Sequence, residues 1–205
     1  ERARAVLEEA RSAGFAEHPE IAYTWVLLDM LDADYQEALD RLGVVSLELL
    51  HQDQWLYVPK AQLYAQIYGL MGNSQLEQAY YDSTRSILQT KTEERPDDSR
   101  YRSALGIAYA GLGRKGDAIR EGELAVELLP MSKEALRGAY RAEDLARIYT
   151  MVGEYDAAID QLEILLAVPS PMAVPRLRID PTWNPLRDNP RFQRLLEQYA
   201  PKTRS

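Results

Sequence analysis

The feature that most constrains this chain is a residue pattern that occurs twice, forty residues apart, between Tyr101 and Leu166. Leu105, Gly106, Tyr109, Gly113 and Ala118 form the first copy, and Leu145, Ala146, Tyr149, Gly153 and Ala158 repeat it at constant offset. Leu105 and Tyr109 are four residues apart and so share one face of a helix. Gly106 and Ala146 leave room on that face for a neighbouring helix to approach. Gly113 and Gly153 stand where the chain leaves a helix, a position that favours left-handed backbone. Ala118, Gly122, Ala125 and Leu129, then Ala158, Leu162 and Leu165, give a second apolar stripe at helical period. Each copy therefore predicts helix, tight turn, helix. One such pair cannot bury both its faces, so it must stack on another.

Two weaker copies precede these. From about Trp55 to Thr92, Tyr64, Ala65, Tyr68 and Gly72 carry the first-helix pattern, with Tyr68 and Gly72 preceding Tyr109 and Gly113 by 41 residues. After that turn the match needs two extra residues to bring Ala79 into the small-residue slot. Further upstream, Tyr35, Ala38 and Leu42 align with Tyr155, Ala158 and Leu162, and Asp29 stands where the other copies have tyrosine. Residues 2–13 read as a further partial helix that Gly14 ends. The repeats are thus expected at about 19–50, 55–93, 99–130 and 137–168, an array over 1–169. The 99–130 copy is preceded by a polar, proline-broken connector that contains the capping signal, and the extra residues of the last copy should lengthen its first helix.

In the order of these residues the chain resembles the tetratricopeptide repeat family: the Leu-Gly-x-x-Tyr and Leu-Ala-x-x-Tyr runs, the turn glycine, the small residue opening the second helix, and Pro130 after its end. It departs from the family at Arg102 and Gly122, where larger or apolar residues are usual, and in a period above the usual value of about 34 residues. The resemblance implies an all-α, right-handed superhelical α-solenoid of antiparallel helix pairs, acting as a protein–protein interaction scaffold. It also implies that first helices line a concave groove, which by alignment would present Tyr23, Leu27, Gln62, Gln66, Ser103, Ile107, Glu143, Arg147 and Thr150. An extended or helical peptide with a few apolar anchors, and one acidic group opposite Arg147, suits that face. The lysine and asparagine cluster with which some relatives clamp a terminal carboxylate is missing from it.

After Leu166 the pattern stops, and the prolines between Pro169 and Pro190 forbid a long helix. Leu177, Ile179, Trp183, Leu186 and Phe192 are too apolar for a free tail. Residues 170–205 are therefore expected to form an irregular cap over the last hairpin, with a closing helix from about Pro190 to Tyr199. The run from Leu177 to Phe192 is similar to the ending that follows such arrays in bacterial multidomain regulators, including receptor-type serine/threonine kinases and cyclase-like proteins. A chain opening on Glu1 with helical sequence from the start reads as a piece of such a protein. The competing reading is a dimerisation or intramolecular scaffold that positions a catalytic or signalling domain lying elsewhere in the parent.

The remaining sequence narrows the chemistry. A net charge of −8 argues against nucleic acid as the main partner. The charge is uneven, with 9 Lys+Arg against 18 Asp+Glu in residues 1–100 and 15 against 14 in the rest. No apolar run is long enough for a membrane helix, and no compartment is indicated. With no cysteine, thiol chemistry is excluded, and His18 and His51, far apart in sequence and in different predicted pairs, give a triad or a two-histidine metal site little to work with. No catalytic residue, cofactor or metal is therefore assigned, and an enzyme is not expected. The glycines of Gly111–Gly116 are explained by the helix turn rather than by phosphate binding. The recurring tyrosines are expected at helix-packing positions, and self-association remains an alternative use of the surface.

Overall fold

The computed structural model describes residues 2–10, 12, 18–45, 49–52 and 55–200. The described residues are mostly helical, as the periodicity predicts: α1 (Arg2–Ala10), α2 (Pro19–Leu31), α3 (Tyr35–Val44), α4 (Lys60–Leu70), α5 (Ser74–Glu94), α6 (Ser99–Gly111), α7 (Lys115–Leu128), α8 (Ala135–Met151), α9 (Tyr155–Ala167), α10 (Val174–Ile179) and α11 (Pro190–Gln198). A 3-10 helix, Pro181–Leu186, lies between α10 and α11. The chain divides into two compact units, Glu1–Thr84 and Arg85–Ser205, so the division falls within α5, and the tail shares a unit with α6 to α9. The expected end of the first helix at Gly14 lies outside the described residues.

One turn is built four times. Ala33, Gly72, Gly113 and Gly153 have φ of 62°, 74°, 71° and 80°. In each turn the amide after this residue donates to the carbonyl five residues back, Asp34 to Asp29, Asn73 to Tyr68, Arg114 to Tyr109 and Glu154 to Tyr149, at 2.8–2.9 Å. The left-handed residue itself donates three residues back, to Met30, Gly69, Ala110 and Thr150. These two bonds satisfy carbonyls that the helix end would otherwise leave bare. Asp34, Arg114 and Glu154 then open the next helices with nearly identical backbone angles, φ −84° to −87° and ψ 56° to 65°.

In these next helices Ala38, Ala118 and Ala158 are wholly buried at the crossing. The second hairpin differs from its expected alignment. Glu77, not Ala79, donates to the helix-opening carbonyl, that of Asn73, and so takes the alanine slot, while Ala79 is exposed. The register is kept because Gly69 gives way: a Cβ there would lie 2.6 Å from Glu77 Oε1. No extra residues are inserted, and a larger side chain is met by a smaller neighbour.

Unit 1 also holds a feature absent from the helical reading. Leu49–Gln52 (β1) pairs antiparallel with Tyr57–Pro59 (β2), Gln52 opposite Tyr57. The helix expected from Trp55 begins only at Lys60, with Pro59 as its N-cap. Aromatic and β-branched residues favour extended backbone, and Pro59 drives Val58 out of the helical region. Around this ribbon Ala22, Val26, Met30, Ala38, Leu42, Val58, Leu63 and Ile67 form one core.

In unit 2, α6 packs on α7 and α8, and α8 on α9. Asp98 caps α6 by accepting from the Arg100 amide at 3.0 Å, as the connector predicts. At 17 residues α8 is longer than α6, at 13, as the extra residues predict. The packing gap at Gly106 is filled by one side chain of α8. A Cβ on Gly106 would lie 2.6 Å from Ile148 Cδ1, and one on Gly122 2.8 Å from the same atom. The unexpected small residue in α7 thus forms the other wall of the notch that receives Ile148. The tail covers α8 and α9: Leu177, Trp183, Leu186 and Phe192 are fully buried with Ala142, Ala146, Leu162 and Leu165. Asp180 and Asn189 restart the backbone before each proline by accepting amides two residues on, at 2.9 and 2.8 Å. Ile179 is the exception, exposed where a buried residue was expected.

Candidate functional site

The nine residues assigned by resemblance lie on α2 and α4 in unit 1 and on α6 and α8 in unit 2. In unit 1, Tyr23, Leu27 and Gln66 are half-buried, and Tyr23 and Leu27 pack on the core described above. Gln62 is buried, and its Oε1 has no hydrogen-bond partner among the described residues. In unit 2, Ser103, Ile107, Glu143 and Thr150 are buried and Arg147 is half-buried. Ser103 Oγ also has no partner, whereas Thr150 Oγ1 donates to the Ala146 carbonyl at 2.9 Å.

Five of the nine, Gln62, Ser103, Ile107, Glu143 and Thr150, are therefore not the open contact surface that alignment assigned. The cause is clearest in α6, where every residue from Tyr101 to Ala110 except Arg102 is buried. A helix enclosed on several sides presents no single polar face, so the residues beside its packing positions are packed too.

Arg147 already has an acidic neighbour within the chain. Glu143, one turn earlier on α8, lies 4.0 Å from Arg147. It also accepts a forked pair of bonds from Arg176 of α10, Nη2 to Oε1 at 2.5 Å and Nη1 to Oε2 at 3.1 Å. Arg176 in turn stands 3.9 Å from Asp180. Deeper on α8, Arg141 is 1% exposed and pairs with Asp144 at 3.2 Å. Burial pushes the Arg141 guanidinium below its ordinary value, and Asp144 and Asp98 oppose that shift. Burial likewise pushes Asp98 up, but its bonds from the Arg100 side chain and amide prevail and hold the carboxyl below its ordinary value.

The sequence reading missed Arg141 and Asp144 and counted Arg176 only among the basic residues of the tail. One signal was present: Arg141 falls forty residues after the buried Tyr101, so an arginine occupies a core position. Arg176 gives no such signal, because its contact with Glu143 spans 33 residues.

Unit 1 carries a second charged centre. Asp29, in the slot held elsewhere by tyrosine, is fully buried between Arg41 of α3 (Nε at 2.6 Å) and Arg4 of α1 (Nη2 at 3.2 Å). Both guanidiniums lie over Trp25, 4.5 and 5.5 Å from its centroid. These charges tie three helices together. Also in unit 1, Tyr64, Tyr80 and Tyr68 stack, adjacent centroids 4.9 and 5.6 Å apart.

His18 is the exposed N-cap of α2, without a side-chain cap bond, and the His51 backbone lies in β1. Among the described residues no group of three or more His, Asp or Glu is arranged to hold a metal ion, and no helix is long and apolar enough to cross a membrane. No family model, curated protein or solved structure matches the chain.

Proposed function

We propose that the chain is a protein-interaction scaffold that holds a peptide, or an element of a partner domain, along the inner faces of its helical hairpins. It reads as a tetratricopeptide-type array, a right-handed superhelical α-solenoid whose proline-rich tail is the terminal cap. The observation that carries this reading is the turn: the same two hydrogen bonds close around Ala33, Gly72, Gly113 and Gly153, spaced 39, 41 and 40 residues apart. A unit repeated with one turn and one crossing is built for stacking, and its inner helix faces are what such a stack offers a ligand. The tail's likeness to endings of bacterial regulators fits a signalling parent.

The test is a selection of binding peptides from a random display library, followed by titration of the recovered peptides. Arg147→Glu and Gln66→Glu should each weaken binding at least about tenfold, since both residues are part-exposed. Peptides that bind both variants as tightly as the parent would overturn the inner-face reading. A self-association scaffold is the second reading, favoured by exposed Ile164 on α9 and exposed Val168 just past its end. Light scattering decides it: a monomer at high concentration excludes it.

A further inference from the structure

Within unit 2 the opposite charges around Glu143 are layered rather than mixed, whereas the deeper Arg141–Asp144 pair runs the other way, its cation below its carboxylate. The Glu143 side chain is 6% exposed, beneath Arg147 at 20% and Arg176 at 37%. Asp98 likewise lies deeper than its partner Arg100, and Asp180 deeper than Arg176. Over Glu143 an approaching group meets guanidiniums first and the carboxylate behind them, although the chain as a whole carries −8. Arg176 is also held in place: the fork on buried Glu143 uses two of its five N–H donors and fixes the plane of the rest. A cation already ordered by a buried counter-charge loses little freedom when it takes a second anion.

Resting on the scaffold reading above, we propose that the rim formed by Arg147 of α8 and Arg176 of α10 is a docking site for an acidic peptide segment of a partner protein. Arg176 supplies the bidentate contact and Arg147 the second positive charge. The cap is then part of the binding surface as well as a cover for the core.

The experiment is fluorescence anisotropy on the full chain with three labelled peptides that share leucine anchors and differ only in carrying Glu, Gln or Lys at the polar positions. The Glu peptide should bind, and its affinity should fall about tenfold as salt rises from low ionic strength to well above physiological. Arg176→Gln and Arg147→Gln should each weaken it about five- to tenfold. Glu143→Gln, which keeps one oxygen to hold Arg176 but removes the deeper counter-charge, should tighten it, an effect of opposite sign that misfolding could not produce. Equal binding of the Glu and Gln peptides, unmoved by these variants, overturns the acidic chemistry while leaving the scaffold reading standing. Failure of all three peptides to bind overturns the site, and the library selection above then decides the scaffold reading separately. Preference for the Lys peptide, or a dimer that Arg176→Gln abolishes, also overturns it.

Discussion

The notch around Ile148 yields a prediction whose sign depends on packing. Exchanging a mid-helix glycine for alanine ordinarily stabilises a helix by about 0.5–1 kcal/mol. At Gly106 the new Cβ would sit 2.6 Å from Ile148 Cδ1, 3.1 Å from the Ala118 carbonyl oxygen and 3.2 Å from the Gly122 amide nitrogen. Carbon atoms rest at about 3.5–4.0 Å, so Ile148 would have to withdraw by about 1 Å. Gly122 closes the other side of the same methyl group, and two of the three atoms near the new Cβ are backbone. Overpacking of this kind costs about 1–3 kcal/mol. Gly106→Ala should therefore destabilise unit 2 by about 1 kcal/mol net, against the helix-propensity trend. Ile148→Val, which removes the clashing atom, should cost about 0.5–1.5 kcal/mol alone. In the double variant the contact with Ile148 is gone and only the two milder backbone contacts remain, so Gly106→Ala should cost clearly less in the Ile148→Val background than alone. The assay is urea unfolding followed by circular dichroism for all four proteins, with midpoints compared at constant m. A stabilising Gly106→Ala, or a cycle additive to within about 0.3–0.5 kcal/mol, would refute the notch.

Ala33 is the one non-glycine among the left-handed turn residues, so Ala33→Gly should raise stability by about 0.5–1 kcal/mol and Gly113→Ala should lower it by about as much, read as shifts in urea midpoint. Asp29→Asn should cost about 1–3 kcal/mol, because the buried carboxylate neutralises Arg41 and Arg4; thermal melts of the variant against Arg41→Met would show whether the charge or the packing matters. Tyr149 has its pKa pushed up to about 12 by burial and by the hydrogen bond to Glu123. Its unfolded value is near 10, so its contribution is complete below pH about 10 and is lost as pH rises towards 12. Half-exposure reduces this to roughly 1 kcal/mol, and Tyr149→Phe should flatten that part of the stability–pH curve.

The hairpins were legible because their determinants are local. A left-handed residue after a helix, a small residue five positions later and an aromatic one four positions earlier are conditions one turn imposes on its own sequence, and Gly113 and Gly153 meet them visibly. The first copy keeps the small residue, Ala38, but meets the left-handed condition only in conformation, at Ala33, and has Asp29 in the aromatic slot, which is why it looked degenerate. Glu77 was misplaced for a related reason: a periodic search looks for a small residue, while the fold needs only that the two residues at the crossing fit together, and Gly69 supplies the space from the other helix. The ribbon of β1 and β2 was hidden by the apolar richness of Trp55–Val58, which suits helix and strand alike until Pro59 is weighed.

The candidate site was harder to read because it depends on contacts between distant parts of the chain. Each hairpin interior meets the same neighbour every time, so its requirements recur at constant spacing. An inner face meets whatever the chain places over it, and that changes from one hairpin to the next. Ser103 and Glu143 occupy equivalent positions forty residues apart, yet one is a buried hydroxyl without a partner and the other a buried carboxylate under Arg176. Only the tail's path brings Arg176 there, through Leu177 and Trp183 docking on the α8 and α9 core. The charge presented around Glu143 is therefore set by cap packing as much as by the helix that carries Glu143 and Arg147. A variant that loosens the cap without touching any charge, such as Leu177→Ala, should carry Arg176 away from Arg147, so that the two cations no longer act on one ligand, and weaken acidic-peptide binding along with stability.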